Sequence, residues 1–139
     1  MTPEQIALVR ATFVPVARQA ARAGAFFYDR LFALDPSLRP LFPDDLQHQG
    51  EKFVETLGVM IRALEREQTG DVSTDFQELG RRHHEYGVQL QHYETLREAL
   101  LWALAQILGE DFDDDVAVAW CNVYNQAARA MRQAQPETV

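Results

Sequence analysis

Cysteine is nearly absent from this chain of 139 residues, which contains only Cys121. An internal disulfide is therefore excluded, and because no apolar leader opens the sequence we expect a cytoplasmic protein. The longest apolar run, from Ala99 to Ala105, is far below the roughly 18 residues that a membrane span needs, so we expect no membrane association. No histidine lies near Cys121 in the sequence. We interpret its thiol as a packing group rather than a nucleophile.

Basic charge is also scarce. Lysine and arginine number 13 against 21 acidic residues, and the resulting net charge of -8 disfavours binding to nucleic acid or to an anionic bilayer. The acids concentrate between Glu110 and Asp115, a segment that we interpret as a solvated loop and helix start, where negative charge suits the helix dipole. The length fits one domain over residues 1–139, with residues 133–139 predicted to form a disordered tail.

Common catalytic motifs are missing. The sequence has no phosphate-cradling glycine loop, no nucleophile elbow and no Cys-x-x-Cys or His-x-x-x-His zinc spacing. It also lacks the alternation of apolar and polar residues that is typical of strands, whereas helix caps and helical apolar spacings recur along the whole chain. We therefore predict an all-α protein.

Five long helices are predicted, together with a short one that ends near His84. The first is capped by Thr2 and is kinked or interrupted at Pro15. The second covers about 19–33, the third about 45–67, the next about 91–108, and Asp113 caps the last. Gly24 and Gly50 lie inside helices, where each costs about 1 kcal/mol relative to alanine. Either the second and third helices approach closely at these glycines, or a glycine marks a helix end.

A histidine occupies the apolar stripe of the short helix. With about 100° between successive residues, His83 falls on the face of Phe76 and Leu79, while His84 turns toward solvent. His83 is therefore a candidate ligand for a flat metal cofactor, the alternative being a hydrogen-bonded core histidine. Gln49, at the edge of the stripe of the third helix, either faces water or lines a polar spot in an apolar cavity.

Several motifs occur in a specific order along the chain. They are Arg39-Pro40-Leu41-Phe42, then Gln49-Gly50-Glu51-Lys52, then Leu79-Gly80-Arg81-Arg82-His83 with Gly87-Val88, and finally His92-Tyr93 ahead of Ala99-Leu100-Leu101-Trp102. In this order and spacing the chain resembles the single-domain bacterial globins related to the haem domain of flavohaemoglobins. The similarity covers nearly the whole chain.

This resemblance implies a globin fold, a three-over-three helical sandwich around haem b. It implies His83 as the proximal ligand of the haem iron, Phe42 stacked on the porphyrin, and Tyr28 and Gln49 as the polar groups that stabilise a ligand on the distal side. Further residues would complete the haem-binding site: Phe53 as an apolar wall, Lys52 near the propionates, Val88 and Tyr93.

The implied function is reversible binding of dioxygen, nitric oxide and carbon monoxide, for oxygen transport or storage. One alternative is a nitric oxide dioxygenase that uses an external NAD(P)H-dependent reductase, because no reductase domain follows. Another is a haem-based gas sensor that acts on a separate partner, and a third is a helical regulatory domain without haem. We expect a monomer or a weak homodimer.

The chain differs from the family that it resembles at two functionally relevant positions. Flavohaemoglobins place a glutamate near the end of the last helix, where it acts with a tyrosine corresponding to Tyr93 on the proximal histidine. Here that region reads Arg132-Gln133-Ala134-Gln135-Pro136, without the acid, which disfavours peroxidase-like oxygen activation. Phe53 stands where the family commonly has a smaller aliphatic residue. Its ring is expected to restrict ligand access or to displace Gln49.

Overall fold

The computed structural model describes residues 2–46, 48–68 and 91–134, and within these ranges the chain is helical without a strand. The helices are α1 (Pro3–Arg18), α2 (Ala20–Leu34), α3 (Gln49–Gln68), α4 (His92–Leu108) and α5 (Asp114–Ala134), with 3-10 turns at Pro36–Leu41 and Gly109–Asp111. The all-α prediction is confirmed. The predicted short helix with His83 and His84, and residues 135–139 of the predicted tail, lie outside the described residues.

Local hydrogen bonds define the helix starts that the sequence predicts. The Thr2 hydroxyl accepts a bond from the Gln5 backbone N–H at 3.1 Å, and the Gln5 side chain accepts one from the Thr2 backbone at 3.2 Å. At the start of α5, the Asp113 carboxylate accepts a bond from the Val116 N–H at 2.9 Å. Such a cap contributes about 1 kcal/mol, because it satisfies a backbone donor that the helix leaves unpaired.

One predicted helix boundary is wrong, and one of the two alternatives at Pro15 is excluded. α1 is not interrupted at Pro15 but continues to Arg18, and the Gln19 side chain donates a hydrogen bond to the Pro15 carbonyl at 3.4 Å. α3 starts at Gln49 rather than near Asp45. The late start has a physical cause, because the side chain of Arg39 binds backbone carbonyls of residues 42–44 and holds that segment outside the helix.

The hydrophobic core is formed by the packed faces of the five helices. α2 packs against both α3 and α4, and α1 packs against α5. The buried residues of α3 and α5 follow the helical spacing that the sequence predicts: Phe53, Leu57, Met60, Ile61 and Leu64 on α3, and Val116, Trp120, Val123 and Ala127 on α5. In the part of the chain that the structure describes, no helix is both long and apolar enough to cross a membrane.

Two glycines set the distance between α2 and α3. A Cβ atom built on Gly24 would lie 2.4 Å from the Cα of Gly50, and one built on Gly50 would lie 2.5 Å from the carbonyl oxygen of Ala20. Real Cβ atoms essentially never approach other atoms so closely. The close helix approach is therefore the correct explanation of these glycines, and it brings the side chains that follow Gly24 on α2 against the first turns of α3.

A partly buried hydrogen bond joins α1 to α5. The indole Nε1 of Trp120, whose side chain is fully buried, donates to the Thr12 hydroxyl at 2.8 Å, and that hydroxyl donates to the Leu8 carbonyl at 2.7 Å. Removing the hydroxyl leaves the indole N–H without its acceptor. A buried polar group that loses its partner costs about 1–3 kcal/mol.

We expect Thr12→Val, which keeps the side-chain shape, to lower the free energy of unfolding by about 1–3 kcal/mol. Urea unfolding followed by tryptophan fluorescence measures the loss. Thr56→Val is the matched control, because the Thr56 hydroxyl also donates to a carbonyl of its own helix, that of Lys52 at 2.8 Å, but at an exposed position. Equal losses in the two variants would contradict the assigned role of the Thr12–Trp120 bond.

Candidate functional site

A buried pair of polar side chains lies where α2 meets α3. The Tyr28 hydroxyl on α2 donates a hydrogen bond to the Gln49 Oε1 atom, the first residue of α3, at 3.3 Å. Tyr28 is 8% exposed and Gln49 is 7% exposed. Among the side chains whose exposure the structure describes, in residues 2–46, 48–66 and 91–129, Gln49 is the only buried amide or charged one. Of the two predicted orientations for Gln49, the inward one is therefore correct, whereas its neighbour His48 is exposed.

Burial further favours the neutral form of the tyrosine. It raises the pKa of Tyr28 to about 12, because the charged phenolate is disfavoured away from water. The hydroxyl therefore keeps its proton at every physiological pH and acts as a hydrogen-bond donor. Its bond to Gln49 is longer than the 2.5–3.0 Å that is usual for hydroxyl donors, about 0.3 Å beyond the upper limit. A long bond of this kind is readily exchanged for one to a better acceptor.

Aromatic rings surround the polar pair. The Phe42 ring meets Tyr28 edge-on with ring centroids 5.3 Å apart, and Phe32 stacks on Tyr28 at 6.0 Å. On the other side, Phe27 meets Tyr28 edge-on at 4.9 Å and stacks on Phe53 of α3 at 4.5 Å. The result is a weakly polar spot in an apolar setting, where a hydrogen bond is stronger than in water.

The side chain of Arg39 holds the corner that carries Phe42. Its guanidinium donates hydrogen bonds to the backbone carbonyls of Phe42 at 3.4 Å, Pro43 at 2.9 Å and Asp44 at 2.9 Å. The same group lies 5.3 Å from the centroid of the Phe32 ring. Since Phe32 also packs edge-on against Phe42 at 5.4 Å, the arginine fixes both the backbone and the ring environment of Phe42.

The predicted site residues thus fall into four groups, of which Tyr93 alone forms the last and is described in the next paragraph. Tyr28, Gln49, Phe42 and Phe53 are brought to one place, directly or through Phe27. Lys52 is on the exposed side of α3. His83 and Val88 lie outside the described residues.

Tyr93 occupies a separate small cluster at the start of α4. It is 3% exposed and packs with Ala128, Leu96 and Tyr124. The Tyr124 hydroxyl donates to the Tyr93 backbone carbonyl at 2.5 Å, and one turn further the Arg97 guanidinium donates to the Asn125 side chain at 3.1 Å. These bonds fix the start of α4 against α5. They define the position of Tyr93 independently of the Tyr28–Gln49 pair.

The sequence does not indicate two contributions to the site. These are the ring of Phe27 and the hydrogen bonds of Arg39 that hold residues 42–44. A signal for Phe27 was present, because it lies four residues before Leu31 and hence on the same buried face of α2. No sequence signal shows that the ring contacts Phe53, since this contact depends on how α2 and α3 cross. For Arg39, the three carbonyl acceptors are produced by the backbone path of residues 42–44 and have no counterpart in a residue pattern.

Comparison with known proteins decides the family. A family model described as Globin matches residues 25–131, which is well over half of the chain. The chain belongs to the globin family. As a whole, this globin is 33% identical over 132 residues to a flavohemoprotein of Bordetella pertussis, a match that covers 92% of the globin but only 32% of the relative. It therefore spans about a third of the length of that curated relative.

Solved structures agree on the fold of the globin. A bacterial globin from Campylobacter jejuni superposes with a TM-score of 0.79 at 21% identity, covering 96% of this chain and 95% of that one. A flavohemoglobin from Malassezia yamatoensis, solved with bound FAD and heme, superposes with a TM-score of 0.77 at 23% identity, covering 96% and 36%. The predicted globin fold is thereby confirmed. Membership of the family implies that this globin binds haem.

Proposed function

We propose that this globin binds haem b, with His83 as the proximal iron ligand, and takes up dioxygen, nitric oxide and carbon monoxide reversibly for oxygen storage or transport. The observation that carries the proposal is the buried Tyr28–Gln49 pair. An uncharged phenol and an amide enclosed by aromatic rings suit a small, weakly polar ligand, and no buried charged group is present among the described residues to attract an ion.

The residues present fit a haem site on its distal side. When bound, haem would supply an iron atom that takes up a diatomic gas. The Tyr28 hydroxyl would donate a hydrogen bond to the negatively polarised end of such a ligand, and Gln49, which accepts from Tyr28, would keep that donor in place. Phe42 would contact the porphyrin, and the exposed Lys52 would pair with a propionate.

Tyr28 makes ligand release slow in this scheme. A buried hydrogen bond to a charged acceptor contributes about 1.5–3 kcal/mol, which corresponds to roughly 10- to 100-fold in a dissociation constant. The bond to Gln49 offsets part of this gain, because it must be broken first. Its length of 3.3 Å keeps that cost small.

A nitric oxide dioxygenase that receives electrons from a separate reductase is the second candidate. The similarity to a flavohemoprotein supports it, although this chain spans only a third of that relative. Against it stands the sequence from Arg132 to Pro136, which lacks an acid that would make a proximal histidine more electron-rich. Rapid nitrate formation in the presence of a cellular reductase would favour the enzyme. Stable oxygen binding without turnover would favour the carrier.

The optical absorption spectrum of the purified protein tests the proposal. We expect a haem band after reduction with dithionite that shifts on addition of carbon monoxide or oxygen. His83→Ala should abolish or alter this band, because the iron loses its axial imidazole, whereas the matched variant His84→Ala should leave it unchanged. A correctly folded protein that neither contains nor takes up haem would overturn the proposal and favour a haem-free regulatory domain.

A further inference from the structure

One side chain holds the corner formed by residues 42–44. The Nη1 atom of Arg39 donates hydrogen bonds to the backbone carbonyls of Phe42 at 3.4 Å and Pro43 at 2.9 Å, and its Nη2 atom donates to that of Asp44 at 2.9 Å. The Phe42 backbone N–H in turn donates to the Arg39 carbonyl at 3.1 Å. Arg39 therefore binds the corner through both its side chain and its backbone.

The arrangement of the acceptors suits a guanidinium. Two of its nitrogens reach different carbonyls at the same time, because the planar group presents its donors in a fixed fork, whereas a lysine ammonium carries its three donors on one atom. The guanidinium also lies 5.3 Å from the centroid of the Phe32 ring, which packs against the Phe42 ring at 5.4 Å. The backbone and the ring of Phe42 thus depend on the same group.

Regular secondary structure does not hold this corner. It lies between the 3-10 turn Pro36–Leu41 and the start of α3, and Phe42 is extended, with φ of -116° and ψ of 156°. An extended residue outside a helix or sheet has no ladder of backbone bonds on either side. The hydrogen bonds from Arg39 therefore carry much of what keeps Phe42 beside Tyr28, where the ring centroids are 5.3 Å apart.

We propose that Arg39 is a positioning residue of the haem site, which controls how firmly the protein retains haem by keeping Phe42 in place. This inference rests on the function proposed above, in which Phe42 contacts the porphyrin. Arg39 acts through the backbone of the corner and through the ring of Phe32. Because haem is released more easily while the corner is open, the rate of haem loss follows the population of the open corner.

Two substitutions at position 39 test the proposal. Arg39→Met keeps an unbranched side chain and removes the charge and all donors, whereas Arg39→Lys keeps the charge on a single donor atom. Haem loss is measured by absorption as ferric haem moves from the loaded protein to an excess of apomyoglobin. We expect Arg39→Met to lose haem about tenfold faster or more, since one hydrogen bond to a charged donor changes an equilibrium constant by at least about that factor. Arg39→Lys should be intermediate.

Hydrogen exchange gives a second readout at the corner itself. The Phe42 N–H is bonded to the backbone carbonyl of Arg39, which both variants keep, so faster exchange reports opening of the corner rather than loss of the acceptor. Exchange is followed by NMR in the diamagnetic ferrous carbon monoxide complex. We expect the Phe42 rate to rise from the wild type through Arg39→Lys to Arg39→Met, in the same order as haem loss.

Two control variants separate positioning from overall stability. Arg30→Met removes a guanidinium that also lies over a ring, that of Trp102 at 4.6 Å, but at the contact of α2 with α4. Thr12→Val lowers the stability at the contact of α1 with α5. Both should leave the rate of haem loss and the exchange of the Phe42 N–H nearly unchanged.

The outcomes distinguish this inference from the proposed function. Unchanged haem loss in an Arg39→Met protein that binds haem and carbon monoxide would overturn the inference and leave the function intact. Equally fast haem loss in Thr12→Val would also overturn it, because the effect would then be one of overall stability. If Arg39→Met does not fold, Arg39→Lys against the wild type decides in the same way. A wild-type protein that takes up no haem would overturn both.

Discussion

Replacement of Tyr28 by phenylalanine is expected to accelerate dioxygen release from the haem-loaded protein by about 10- to 100-fold. The substitution removes one hydroxyl and keeps the ring, so the edge-on contacts of the ring with Phe27 and Phe42 remain. Stopped-flow displacement of dioxygen by carbon monoxide measures the rate.

Carbon monoxide serves as the internal control for this variant. It accepts hydrogen bonds poorly compared with dioxygen, so its release should change far less in Tyr28→Phe. An equal acceleration for both gases would indicate altered access rather than a lost hydrogen bond, and an unchanged dioxygen rate would remove Tyr28 from the mechanism. Either result would contradict the role given to the hydroxyl.

The pH dependence of the wild type follows from the same group. With its pKa raised to about 12 by burial, Tyr28 remains protonated and donating at neutral pH. Dioxygen release should therefore be flat from about pH 6 to pH 9, far below this pKa and below the usual tyrosine pKa of about 10. Above about pH 10, the unfolded chain loses the proton more readily than the folded protein. The contribution of Tyr28 to the stability therefore decreases as the pH rises further.

The second large effect concerns the helix contact that positions the pair. Gly50→Ala should lower the free energy of unfolding by about 1–3 kcal/mol, because the new methyl group meets the backbone carbonyl of Ala20 and forces α2 and α3 apart. This cost exceeds the roughly 1 kcal/mol that alanine gains over glycine inside a helix. Urea unfolding measures the loss, and dioxygen release should also be faster because Tyr28 and Gln49 separate.

Gly58 on the same helix provides a matched control of opposite sign. A Cβ atom there would meet only the end of the Arg62 side chain at 3.3 Å and the Phe13 ring at 3.7 Å, and a flexible arginine moves at little cost. Gly58→Ala should therefore stabilise the protein by about 0.5–1 kcal/mol through helix propensity. Destabilisation of similar size in both variants would show that the close backbone contact is not the reason why position 50 requires glycine.

The sequence predicts well those features that depend only on residues close to one another in the chain. Thr2 and Asp113 cap their helices through partners three residues away, and the apolar stripes of α3 and α5 follow from helical spacing. The sequence does not determine the orientation of Gln49, because this orientation depends on the crossing of two helices at Gly24 and Gly50. The Phe27–Phe53 stack could not be predicted for the same reason, since its members are far apart in sequence.

The start of α3 shows how a distant side chain overrides a local preference. Leu46 continues the apolar stripe of the third helix toward its N-terminus, and the sequence therefore predicts a helix start near Asp45. Hydrogen bonds from Arg39 to three successive carbonyls stabilise a non-helical path just before it, and α3 begins only at Gln49. The same path places Phe42 beside Tyr28, so the error in the predicted boundary falls at the site itself.

The Arg39 contacts also bear on how the protein is made. Its carbonyl acceptors lie three to five residues further along the chain, and the ring beneath it belongs to Phe32, seven residues earlier. None of the contacts described for this corner involves α4 or α5. During synthesis, the turn that carries Phe42 can therefore close on α2 before the second half of the polypeptide has left the ribosome, so that one side of the site is built ahead of the last two helices.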